Sequence, residues 1–72
     1  MAEITSAQQA INIAQEFIEP YYPWHQPVKA VREDGTWVVE FDVGALKVEI
    51  ATIKIDADSQ EIKEFVKVSV TD

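Results

Sequence analysis

The sequence predicts an α+β domain, one N-terminal helix packed on a four-stranded antiparallel β-meander, with residues 1–72 forming a single domain. Three observations lead there. Residues 5–19, TSAQQAINIAQEFIE, repeat apolar side chains at three- and four-residue spacing, the period of one helix face. From residue 28 onward the apolar residues come in short runs, mostly alternating, with turn formers between them. No internal repeat, low-complexity stretch or long linker divides the chain.

In the helix, Ala7, Ala10, Ile11, Ala14, Phe17 and Ile18 line one stripe, while Gln8, Asn12, Gln15, Glu16 and Glu19 take the opposite face. Two overlapping capping boxes mark its start, Ser6 with Gln9 and Thr5 with Gln8. The three alanines on the stripe suit a helix lying flat and close on a sheet. Pro20 is expected to end it, because the residue before a proline is pushed out of helical dihedrals, and Pro23 and Pro27 prevent a restart.

VKAVRE at 28–33, the hairpin pair Asp34-Gly35 and TWVVEFDV at 36–43 read as two paired strands. Trp37, Val39, Phe41 and Val43 alternate with Val38, Glu40 and Asp42, which gives a sheet with one apolar and one mainly wet face. Gly44-Ala45 suggests a second tight hairpin setting Phe41 opposite Val48. That register also opposes Glu40 to Glu49, so either the loop is longer or the sheet tolerates the repulsion. Leu46, Val48 and Ile50 keep one parity and Ala51, Ile53 and Ile55 the other, from which a β-bulge is expected near Ile50 and Ala51. DADSQE at 56–61 is a polar turn, and IKEFVKVSV, with Ile62, Phe65, Val66, Val68 and Val70, makes the fourth strand.

Composition limits the function. A domain of this length buries only about 60% of its unfolded surface, so its core is small. The 47% hydrophobic content is that of a folded chain, and the absence of cysteine removes disulfides and thiolate metal sites. Thirteen acidic against six basic residues make a poor partner for nucleic acid or an anionic membrane surface. No apolar run approaches the ~20 residues of a membrane span and the N-terminus lacks a signal pattern, so a cytoplasmic protein is expected.

The segment EPYYPWHQP at 19–27 holds Tyr21, Tyr22, Trp24 and His25. It reads first as a joint whose rings seal the core and second as an aromatic contact patch for a protein or peptide partner. One histidine without cysteines or an evident nucleophile suggests no catalyst, and two glycines nine residues apart make no phosphate loop, so no enzyme and no cofactor are expected. Asp56, Asp58 and Glu61 in the acidic turn are the alternative: a weak calcium site in an ion-responsive domain, although the glycine and glutamate positions of an EF-hand loop hold Glu61 and Lys67. Glu40, Asp42 and Glu49 form a second acidic group on the outer face, which Lys47 and Lys54 are expected to neutralise.

ITSAQQAINIAQEFI, DGTWVVEFDV and IKIDADSQEIKEF together resemble the PepSY-type domain, in which a helix of the form I-T-x-x-x-A-I-x-I-A precedes a hairpin of the V-D-x-x-T-G-E-I kind. Ile4, Thr5, Ala10, Ile11, Ala14, Trp37, Asp56, Ser59, Glu61 and Ile62 match, and Gln60 stands where that pattern has glycine. The resemblance implies a helix-on-sheet fold and association with, or inhibition of, peptidases. The functional expectation is therefore a small non-enzymatic interaction module, with a protein or peptide partner or a weak homodimer through a sheet edge.

Overall fold

A computed structural model describes residues 3–69. Helix α1 spans Ala7–Ile18, and strands β1 (Gln26–Glu33), β2 (Thr36–Asp42), β3 (Glu49–Asp56) and β4 (Ile62–Ser69) follow. The strands pair antiparallel in the order β1-β2-β3-β4, a meander, and α1 packs across β1, β2 and β3. Val70, expected in the fourth strand, lies outside the described residues.

The helix begins where the capping signals converge. Ser6 Oγ accepts the Gln9 N–H (3.2 Å), and Gln9 Oε1 in return accepts the Ser6 N–H (3.1 Å) and the Thr5 N–H (2.7 Å). One glutamine thus covers both candidate N-caps. At the other end the expected mechanism is corrected: Glu19 keeps helical dihedrals (φ −54°, ψ −43°) although Pro20 follows. The helix stops because Pro20 has no N–H to extend the ladder and the Tyr21 and Tyr22 amides turn back to the Ile18 carbonyl (2.9 and 2.8 Å).

Ala10, Ala14 and Ile18 are fully buried, whereas Ala7 of the expected stripe is exposed. They face Val39 and Phe41 of β2 and Ala51, Ile53 and Ile55 of β3 in one core. Two residues outside the expected core, Ile4 and Ala57, complete it. Ile4 is buried as a strap, its N–H donating to the Ala57 carbonyl (2.8 Å) while its own carbonyl accepts the Trp37 indole N–H (3.1 Å). Arg32 Nη2 holds Glu3 at 3.0 Å just outside. Among the described residues the core contains no polar or charged side chain.

Glu33 pairs with Thr36, so Asp34-Gly35 is the two-residue hairpin loop, with Asp34 in the left-handed region (φ 58°) that aspartate tolerates. The second connection differs from expectation. Phe41 pairs with Ala51 rather than Val48, and Glu40 faces Thr52 rather than Glu49, so the loop is the longer one, residues 43–48, and the carboxylate repulsion is avoided. Gly44 is required there for closeness: a Cβ on it would sit 1.7 Å from the Lys47 carbonyl oxygen. With Leu46 and Val48 in the loop, the parity change that suggested a bulge near Ile50 and Ala51 disappears, and Ile50–Asp56 pair with β2 in unbroken register. The sheet's irregularities lie elsewhere. One falls between Pro27 and Lys29, where Val28 is extra, and one in β4, where Lys63 is extra between Ile62 and Glu64.

The β4 irregularity has a packing reason. Ile62 and Phe65 are three residues apart and would point to opposite faces of a regular strand; the extra Lys63 brings both to the helix side opposite Ile55 and Ile53. Beyond Phe65 the alternation resumes, so Val66 and Val68 face outward beside Thr52 and Ile50.

Two substitutions test the alanine seam. Ala14→Leu is expected to destabilise the fold by about 1–3 kcal/mol through overpacking, whereas Ala7→Leu on the exposed side stays within about 0.5 kcal/mol, both read by urea denaturation.

Candidate functional site

The segment between α1 and β1 divides its aromatic residues between two jobs. Tyr22 is half-buried against the core with its ring 6.4 Å from that of Phe65, and Phe17 meets the same Phe65 edge-on at 5.6 Å. His25 stands edge-on to Phe41 (5.7 Å, 85°), and its Nδ1–H donates to the Tyr22 carbonyl (2.9 Å), which assigns the proton to Nδ1 because a carbonyl can only accept. These two residues form a seal over the end of the core. Tyr21 (67% exposed) and Trp24 (46% exposed) face solvent, Tyr21 leaning on Phe17 at 6.0 Å. The four residues named from the sequence are therefore not one patch: two close the core and two remain available for contact.

The acidic turn is held by its own backbone. Asp56 Oδ1 accepts the Asp58 and Ser59 N–H groups (2.8 and 3.1 Å), the Gln60 N–H donates to the Asp56 carbonyl (2.8 Å), and the Asp56 N–H donates to the Glu61 carbonyl (2.9 Å). These amides favour the carboxylate, Ser59 first and Asp58 second, and with the nearby Lys63 ammonium they hold the Asp56 carboxyl below its usual 3.8. Gln60 takes the left-handed conformation (φ 66°) at the position where the resembled pattern has glycine. Asp58 and Glu61 are exposed, and no group of three or more His, Cys, Asp or Glu side chains among the described residues is placed to hold a metal ion.

The outer acidic group is also rearranged. Glu40 pairs with Lys29 (3.7 Å) and Lys54 with Glu64 (3.6 Å), while Glu49 sits on the other parity of β3 and pairs with Lys67 (3.6 Å). Glu33, Asp34, Thr36, Val38, Lys54, Lys63 and Glu64 border an open depression of about 380 Å³ on this face, and Lys63 Nζ reaches Thr36 Oγ1 across it (2.9 Å). Its three acidic side chains, Glu33, Asp34 and Glu64, against the two lysines Lys54 and Lys63 leave one net negative charge, and Lys54 is already paired with Glu64.

A feature not singled out from the sequence is the apolar corner at the open edge. Val66 and Val68 are exposed on β4 beside Ile50, and the loop leading into β3 exposes Val48 and leaves Leu46 without any cover. The valines of VKVSV mark a strand in the sequence but not the face they take, which the extra residue at Lys63 decides. Comparison of the chain with family models, with curated proteins and with solved structures gives no match. No described helix is long and apolar enough to cross a membrane.

The division within the joint predicts a split in mutant stability. Tyr22→Ala and His25→Ala should each cost about 1–3 kcal/mol, while Tyr21→Ala and Trp24→Ala cost less than about 1 kcal/mol, read by thermal and urea melts. The acidic turn predicts a pH dependence. Because the folded carboxyl of Asp56 titrates below the unfolded one, its stabilisation is complete above the unfolded value and is lost as pH falls through the folded one. The stability advantage of the wild type over Asp56→Asn is therefore expected to be constant near neutrality and to shrink below about pH 4 in parallel urea melts.

Proposed function

We propose that the chain is a small protein-interaction module without catalytic function, recognising an extended segment of another polypeptide at the β4 edge. The observation that carries this reading is the pairing of an open edge strand with uncovered apolar side chains, Val66 and Val68 on β4 and Leu46 and Val48 in the adjoining loop, next to the half-buried Ile50. An unpaired edge offers main-chain donors and acceptors for a further strand, and side chains flanking it supply selectivity. The exposed rings of Tyr21 and Trp24 provide a second set of amphipathic anchors, rigid and large for their entropy cost. His25 is engaged with a main-chain carbonyl and the Phe41 ring, which suits a structural rather than a proton-transfer role. The resemblance to PepSY-type domains makes a peptidase the first partner class to examine.

Amide-resolved NMR tests the reading. A concentration series followed by titration with extended apolar peptides and with representative peptidases is expected to move signals of residues 62–69, with Tyr21 and Trp24 responding where the partner is large. Signals in these regions that stay fixed throughout would sink it.

A further inference from the structure

We infer that one occupant of the β4 edge is a second copy of this chain, added antiparallel about a two-fold axis that passes beside Val66 and joins two four-stranded sheets into one of eight. This deepens the interaction-module reading and rests on it. Three observations carry the inference.

The two sheet edges are unequal. β1 contains Pro27, which has no N–H to donate, and its register is broken at Val28, both features that protect an edge from pairing. β4 has no proline, and its irregularity at Lys63 lies near the start, leaving 64–69 in regular extended pairing. The Lys63 side chain is drawn off the edge by its bond to Thr36 Oγ1 across the outer face.

Charge then selects the register. In an antiparallel pair of identical strands, opposed residues share a face, so the two-fold must sit at a single residue and oppose that residue to its own copy. Centring on Glu64 or on Lys67 opposes like charges directly, and centring on Phe65 opposes Lys63 to Lys67. Centring on Val68 pairs only residues 67–69 of the described strand. Centring on Val66 places Val66 against itself, Glu64 against Val68 and Phe65 against Lys67, with no like charges opposed and a lysine stem over each half-exposed phenylalanine ring.

Net charge favours a meeting of edges. The chain carries −7, yet each edge strand is locally +1 (2 − 1), Lys29 and Arg32 against Glu33 on β1 and Lys63 and Lys67 against Glu64 on β4, so copies that meet along an edge avoid the acid held elsewhere, and the proline and broken register of β1 leave β4 as the edge that pairs. The outer-face valines of both copies become contiguous around the axis.

The chain has no cysteine, so single-cysteine variants report the register directly. Val66→Cys, Val68→Cys and Glu64→Cys all lie on the exposed strand and are checked for wild-type melts before mild oxidation over a concentration series, with intact mass as the readout. The geometry predicts that Val66→Cys forms a covalent dimer at least ~10-fold faster than Val68→Cys alone, whose two copies lie about 13 Å apart along the pair, beyond disulfide reach. A mixture of Val68→Cys and Glu64→Cys should crosslink preferentially as the mixed dimer. Equal rates for the three single variants, or rates no greater than in denaturant, would overturn the second-copy assignment. If that occurs while peptides still move the β4 amide signals, the interaction-module reading survives the loss of the dimer; if neither happens, both are lost.

Discussion

The structure depends on how closely a helix can approach a sheet. Ala10 and Ala14 contribute almost no side-chain thickness, so α1 lies down on β2 and β3 and the few large side chains, Phe41, Ile53, Ile55 and Ile18, fill the space beside the seam rather than propping it open. Among the described residues no second helix layer is present to make good a gap, and every other feature adjusts to that spacing. Ile4 and Trp37 seal one end, joined by the indole hydrogen bond, and Tyr22, His25, Phe17 and Phe65 seal the other with rings. The edge of the sheet farthest from β1 is reached by the helix layer through Phe17 and left otherwise uncovered on its outer side.

That economy creates the candidate surface. Four of the six basic residues, Lys29, Arg32, Lys63 and Lys67, lie on the two edge strands, while the helix, the inner strands and the turns hold most of the acid. Lysine on an edge discourages unselective pairing, because the long charged side chain must be accommodated by whatever arrives. β4 combines this discouragement with exposed valines, a combination that favours few registers over many. The acidic remainder of the chain keeps copies apart unless they meet in an orientation that avoids it.

Much of the fold is legible in the sequence because it is local. The capping box at Ser6 and Gln9, the Asp34-Gly35 hairpin and the alternation from Trp37 to Phe41 each act over a few residues, and each appears in the structure. What was not legible is what two segments settle together. Leu46 and Val48 look like strand residues by chemistry, and only the pairing of Asp42 with Ile50, with Gly44 pressed against Lys47, shows that they belong to a loop. The extra residue at Lys63 cannot be read from β4 alone, since it follows from the need to bring Ile62 and Phe65 to Ile55 and Ile53. The joint was readable as a joint, but its division into sealing and exposed rings depends on where Phe41 and Phe65 lie, far along the chain.

The strap at Ile4 sets an order of events during synthesis. Its amide bonds to the Ala57 carbonyl and its carbonyl to the Trp37 indole, so the second bond waits for residue 37 to leave the ribosome and the first for residue 57. At roughly 5–20 residues per second, the helix made first waits several seconds with its apolar stripe unpaired, while the β1-β2 hairpin closes by short-range contacts. The Ile4 strap is therefore fixed long after its own synthesis, and only β4 remains to be added behind it.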